Sequence, residues 1–135
     1  MAGSLTNAGE VLALNTVFRG TDDIYVGLST STIAETDDLA TIIEEDDANY
    51  TRMLASFTAP VDDGTGIFKI ENDGIIEFPA YSADTDNGII YSFITKEATA
   101  TSGDIIAFAD LGSEKLPASG DKLYIPDGGL VITLN

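Results

Sequence analysis

Paired acids are the residues of this chain whose type and spacing most invite a chemical reading. Asp22-Asp23, Asp37-Asp38, Asp46-Asp47 and Asp62-Asp63 set carboxylates side by side, and clustered carboxylate oxygens are what a hard cation such as Ca²⁺ takes. Asp84-Thr85-Asp86-Asn87-Gly88 opens in the manner of a calcium loop. The helix–loop–helix loop, however, requires glycine at its sixth position and glutamate at its twelfth. Counted from Asp84, those positions hold Ile89 and Thr95. The doublets therefore read as solvated loop acids that attract cations only diffusely, and no metal or other cofactor is expected.

Two carboxylates flanking a bond also serve glycoside hydrolysis. Such sites normally add aromatic sugar platforms, but Trp is absent and the five Tyr are spread along the chain. Ser29, Ser31, Ser56 and Ser92 have neither a His nor an obvious Lys to activate them as nucleophiles. No catalytic residue is expected, and the chain reads as a non-enzyme.

Composition narrows the field further. The 135 residues carry six Lys and Arg against 23 Asp and Glu, a formal charge of −17, yet 44 % of them are hydrophobic. Disordered acidic tails lack that apolar content. The cations stand singly at Arg19, Arg52, Lys69, Lys96, Lys115 and Lys122, so no basic groove exists for a phosphate backbone, and nucleic acid is excluded as a partner. Without Cys there is no disulfide or thiolate site, and without His the commonest neutral base and metal ligand is missing. No apolar run approaches the ~18 residues of a membrane span, and the N-terminus shows neither the basic region nor the apolar core of a signal peptide. A soluble protein with no membrane partner is expected.

The elements that would carry these residues are a helix followed by short strands. Residues 5–19 read as the one clear helix: Thr6 or Asn7 caps it, Glu10 suits its positive end, and Gly20 stops it. Ala8, Val11, Leu12 and Phe18 fall near one face, and Leu5, Leu14 and Val17 widen the apolar stripe. After Gly20 come β-runs at 24–29, 50–57, 66–71, 75–78, 89–95, 104–110, 122–125 and 130–134. Asn72-Asp73-Gly74 is a turn signal that predicts an antiparallel return of 75–78 on 66–71. Residues 33–47 hold seven acids in fifteen residues and read as a loop, in which Leu39, Ala40, Ile42 and Ile43 can form a short helical turn resting on a sheet. Residues 111–121, rich in Gly, Ser and Pro, read as an insertion loop. The predicted fold is mainly β, an antiparallel β-sandwich of jelly-roll type with one N-terminal helix, in a single domain over 1–135.

An ordered set of segments then resembles a family of small virion proteins of tailed bacteriophages, the phage tail-fibre-like or minor structural proteins. It runs from Leu5-Thr6-Asn7 opening the helix, through Tyr25-Val26-Gly27-Leu28 and Tyr50-Thr51-Arg52, to Gly74-Ile75-Ile76-Glu77-Phe78-Pro79. Gly88-Ile89-Ile90-Tyr91-Ser92-Phe93, Ser102-Gly103-Asp104 and Leu130-Val131-Ile132-Thr133-Leu134 complete it. The order of these segments spans nearly the whole chain and is more specific than any one of them. Where the family tends to be Gly-rich before its Tyr-x-Arg, this chain has Glu45-Asp46-Asp47-Ala48-Asn49.

The resemblance implies a structural subunit of a virion, at tail, neck or head surface, serving as fibre, collar or decoration and working by assembly. Its partners would be other virion proteins and copies of itself, with a trimer the expected homo-oligomer. The expected interface is the helix, through Leu5, Val11, Leu12, Leu14, Val17 and Phe18, joined by Arg52. Arg52 itself has two readings, an intramolecular pair with Asp46 or Asp47 and a pair across to a neighbouring subunit. A rival from another class is a carbohydrate- or host-surface-binding module on the same β-scaffold.

Overall fold

The computed structural model describes residues 3–134. It is mainly β with antiparallel sheets and one helix, in the order α1 (Asn7–Phe18), β1 (Ile24–Ser29), β2 (Met53–Ala55), β3 (Val61–Asp62), β4 (Phe68–Glu71), β5 (Ile76–Glu77), β6 (Ile89–Thr95), β7 (Ala107–Lys115), β8 (Tyr124–Ile125) and β9 (Val131–Leu134). The chain divides into two compact units. One gathers Met1–Asp23, Ala55–Ile76 and Ile125–Asn135, the other Ile24–Leu54 and Glu77–Tyr124.

In the first unit α1 begins where Thr6 caps it, its hydroxyl accepting the Gly9 amide at 3.2 Å. The helix buries Glu10, Leu14 and Phe18, residues four apart that share one face. The expected face of Ala8, Val11, Leu12 and Phe18 is therefore corrected: Ala8 and Leu12 point to solvent, and Val11 and Val17 are half-buried. The helix is apolar around most of its circumference, so spacing alone did not fix which side faces inward. Phe18 meets the Phe57 ring edge-on at 5.5 Å. Strands run in the order β3-β4-β9, with Ile70 opposite Ile132 at the centre.

The hairpin expected at Asn72-Asp73-Gly74 is absent. β4 pairs with β3 and β9, while β5 pairs with β8. The reason lies in Asn72, which is fully buried. Its side-chain amide donates to the Gly74 and Pro126 carbonyls at 2.8 and 2.9 Å, and its oxygen accepts the Leu130 amide at 2.8 Å. Those bonds tie the turn to residues 126–130 and leave the next strand free to pair elsewhere.

The second unit is built on a sheet of order β2-β1-β6-β7. β1 and β6 pair antiparallel with Gly27 opposite Phe93 and Val26 opposite Ile94. The Phe93 ring lies across Gly27, filling the space where a Cβ would stand. Gly27→Ala must therefore displace a buried ring, and overpacking of this kind typically costs about 1–3 kcal/mol. Urea unfolding of this variant is expected to show that loss, against no comparable loss for Gly3→Ala, whose added Cβ meets nothing within 4 Å.

Ile33, Leu39 and Phe93 form a buried cluster to which Ile42, Tyr91 and Ile105 add. The acidic loop 33–47 thus rests on the sheet through its apolar residues, with a tight turn in which the Thr41 and Ile42 amides donate to the Asp38 carbonyl. Leu39 is buried there, while Ala40 and Ile43 are exposed.

The expected insertion loop is corrected in its first half, because β7 continues through Lys115, which sits opposite Ile89. A register shift and Gly112 at φ +73° accommodate the extension. That irregularity, with Asp110, Glu114 and Lys115 on the strand, also protects this long sheet edge from pairing with another chain.

Candidate functional site

The densest polar construction is built on Tyr50-Thr51-Arg52, between the acidic loop and β2. Arg52 is buried, with its side chain 4 % exposed. Its Nε and one terminal nitrogen donate to both oxygens of Glu44 at 2.8 and 2.7 Å, and the other terminal nitrogen donates to the Glu97 carbonyl at 2.8 Å. Tyr50 donates its hydroxyl to the same Glu44 carboxylate at 2.8 Å and accepts the Leu28 amide at 2.9 Å. Tyr and Arg two residues apart therefore grip one carboxylate. In doing so they lock the acidic loop to β1 and to the turn after β6. The guanidinium also lies 5.7 Å from the centroid of Phe93, a cation–π distance.

The electrostatics agree with this geometry. Hydrogen bonding to Glu44 outweighs burial and raises the Arg52 pKa further. Burial, reinforced by the Glu44 charge, pushes the Tyr50 phenol far above its ordinary value. Tyr81 is raised in the same way by burial and by Glu45, whose carboxylate accepts the Tyr81 hydroxyl at 3.1 Å and the Asp46 amide at 2.8 Å. Both phenols keep their protons in the folded chain at pH values where an unfolded tyrosine ionises. A folded-state pKa raised this way leaves stability intact below about pH 10 and removes it as pH rises beyond that. Alkaline titration is expected to show tyrosinate absorbance from Tyr50 and Tyr81 appearing only together with unfolding. Tyr50→Phe and Tyr81→Phe should each flatten that loss.

Several acids of the doublets are more than solvated, because their carboxylates bond to backbone amides. Asp37 accepts the Ala34 amide at 2.7 Å, Asp38 the Ala40 amide at 2.8 Å, and Asp62 the Gly64 amide at 2.8 Å. Asp47 accepts the Asn49 amide and both the amide and hydroxyl of Ser82. Carboxylates that close turns on their own backbone are the usual asparagine and aspartate role in loops. Asp84 likewise holds the Ser119 amide at 2.9 Å. Among the described residues no group of three or more His, Cys, Asp or Glu is arranged to hold a metal ion.

Two of these acids are tuned by those bonds. At Asp47 burial raises the pKa, but the bonds from Asn49, Ser82 and Ala83 outweigh it and hold the carboxyl below its ordinary value. Hydrogen bonds from the Thr65 hydroxyl and amide lower Asp63. A depressed folded-state pKa contributes stability above the unfolded value of about 4, and that contribution is lost as pH falls through the folded value. The acid limb of a stability–pH curve is therefore expected to flatten in Asp47→Asn and in Asp63→Asn.

A cavity of about 270 Å³ opens beside the clamp, lined by Glu44, Tyr50, Arg52 and three threonines, Thr51, Thr99 and Thr101. Glu45 also lines it; Glu44 and Arg52 are bonded to one another, and Glu45 accepts the Tyr81 hydroxyl and the Asp46 amide.

The residues expected at an interface separate into two sets. Leu14 and Phe18 are buried in the core, and Arg52 is buried and paired within the chain. The intramolecular reading of Arg52 is the observed one, but its partner is Glu44, and neither Asp46 nor Asp47 fills that place. Leu5 and Leu12 are exposed, at 54 % and 67 %, with Val11 and Val17 half-buried beside them. Glu44 and Asn72 were not singled out by sequence. The usable signal for Glu44 was a glutamate spaced before Tyr-x-Arg; for Asn72 there was none beyond a turn.

No helix is long and apolar enough to cross a membrane among the described residues. The chain is thus an antiparallel β-protein in which many polar side chains fasten its own loops. Residues 4–133 match the family model described as Podophage GP4 fiber I protein gp80, and the chain belongs to that family. This is a phage fibre family, which makes the chain a structural component of a virion. No curated protein matches the chain.

Proposed function

We propose that this chain is a fibre subunit carried on the outside of a tailed-phage particle, acting by assembly with other virion proteins and with copies of itself, and performing no catalysis. The observation that carries this reading is the family match over residues 4–133. It is supported by the way Arg52, Glu44, Tyr50, Glu45 and Asp47 spend their hydrogen bonds within the chain. Groups so engaged stabilise a shape and are not poised to act on a substrate. The net charge of −17 keeps such a subunit apart from packaged nucleic acid before and after assembly. Its attachment surface within the virion is the solvent side of α1, through Leu5, Leu12, Val11 and Val17.

Removing α1 outright is a poor test, because Leu14 and Phe18 belong to the core. The informative variant is Leu5→Glu/Leu12→Glu, which alters only the outer side. Particles assembled with the wild-type chain are expected to contain it by mass spectrometry after gradient purification, and particles assembled with the variant to lose most of it. Equal amounts in both would remove α1 as the attachment surface.

A further inference from the structure

Among Asn7, Asn15, Asn49, Asn72 and Asn87, Asn87 alone precedes a glycine, and the fold holds it differently from the others. Asn72 is fully buried, with its side-chain amide and oxygen both bonded. Asn49 donates to the Ala80 carbonyl at 3.0 Å, and Asn15 accepts from Arg19 at 2.7 Å. Asn7 opens α1, whose hydrogen bonding fixes the backbone that follows it. Asn87, by contrast, is exposed in a bend before β6, and its side chain bonds to no described residue. The stretch around it is anchored at its two ends. On one side Asp84 accepts the Ser119 amide and the Thr85 amide donates to the Pro117 carbonyl. On the other, Ile89 is paired with Lys115. Between these anchors no turn or loop bond involves the backbone of residues 86–88.

From this placement we infer that Asn87-Gly88 is a self-modification site, at which the asparagine converts slowly and irreversibly to aspartate and isoaspartate. The Gly88 backbone nitrogen attacks the side-chain carbonyl carbon of Asn87 and closes a succinimide ring. The bond from that carbon to the amide nitrogen breaks, and the nitrogen leaves as ammonia, carrying the proton from Gly88. Water then splits one of the two imide C–N bonds, its hydroxyl going to the carbonyl carbon and its hydrogen to the nitrogen. Opening on the side-chain side gives aspartate. Opening on the main-chain side gives isoaspartate, in which the backbone runs through the β-carbon. Glycine favours closure because it has no β-carbon to obstruct the approach and its backbone reaches the ring geometry freely. The product matters for where it stands. Asn87 lines a cavity of about 270 Å³ whose wall also holds Glu45, Asp46, Asp47, Asp84 and Asp86, with no Lys or Arg among the lining residues. A further carboxylate there repels its neighbours and works against the bonds from Asp47 to Ser82 and from Asp84 to Ser119.

The inference is independent of the virion reading, and the purified chain suffices to test it. Folded chain incubated at slightly alkaline pH and followed by peptide mass spectrometry is expected to lose ammonia and then gain water at Asn87. Conversion there should run at least about tenfold faster than at Asn15, Asn49 or Asn72, a barrier lower by about 1.4 kcal/mol. Ion-exchange chromatography should resolve a more acidic form that accumulates at the same rate. Gly88→Ala restores a β-carbon to the attacking residue and should slow both signals by about tenfold or more. The Glu114 side chain lies where that Cβ would stand, but it is exposed and can swing into solvent. Asn87→Gln serves as a second variant that leaves Gly88 and Glu114 as they are. Its longer side chain must close a larger ring, so the acidic form should disappear on the same timescale. In the isolated acidic form the Ser82 and Ser119 amides should exchange hydrogen faster than in the native chain. Conversion at Asn87 no faster than at the other three asparagines, or an acidic form undiminished in both variants, would overturn the inference. Equal exchange at Ser82 and Ser119 in the two forms would overturn the loosening assigned to the added carboxylate.

Discussion

Replacing Arg52 with alanine is expected to lower stability by about 3–5 kcal/mol, the range for breaking a buried ion pair by removing one partner. Three consequences add up in that variant. The Glu44 carboxylate loses its two-pronged partner, the Glu97 carbonyl loses a charged donor, and Phe93 loses the group over its ring. Glu44 retains some contact with water, its side chain being 24 % exposed, which favours the lower end of the range. Arg52→Lys keeps the charge but cannot reproduce two parallel bonds to one carboxylate, and should fall between wild type and alanine. Urea titration followed by circular dichroism measures all three. In a double-mutant cycle with Glu44→Gln the two losses should be strongly non-additive, because one pair accounts for both. Additive losses would show that Tyr50-Thr51-Arg52 does not act as a clamp.

Asn72→Ala is the second large effect. It strips partners from the Gly74 and Pro126 carbonyls and the Leu130 amide at a fully buried position. Each buried polar group left unpaired costs about 1–3 kcal/mol, so a loss of roughly 3–5 kcal/mol is expected after relaxation and water entry. Asn72→Asp should be comparably damaging, since it replaces two donated bonds by carbonyl–carboxylate repulsion. The same experiment reads the topology: hydrogen exchange at Leu130 and Gly128, whose amides bond to Asn72, should accelerate most. Unchanged protection there would mean that another contact holds residues 126–130 against the turn.

These two residues also show what was and was not readable in the sequence. The core strands β1 and β6 were legible because period-two alternation of Ile24, Val26 and Leu28 is a local signal. The cap at Thr6 and the stop near Gly20 were local too. The turn at Asn72-Asp73-Gly74 was recognised as a turn, but its destination was not, because the side-chain amide is satisfied by residues more than fifty positions away. Asn-Asp-Gly says that the chain reverses, not what it pairs with next. Arg52 was legible as a group needing an acid, and proximity in sequence suggested Asp46 or Asp47. Asp47 is taken by Asn49 and Ser82, while Glu44 is aligned with Ser29 of β1 by an isolated bridge. Charge density suggested a coating of solvated acids. In the structure many of those carboxylates close turns on backbone amides, a role that composition cannot separate from solvation.

The central claim is that this chain is a fibre subunit that works by taking its place in a particle. An electron cryo-microscopy map of the purified virion tests that most directly. The account predicts density matching the β1-β6-β7 sheet and its clamped acidic loop, repeated in symmetry-related copies on the outside of the particle, with the outer side of α1 covered. Purified, infectious particles that contain none of this chain would contradict it.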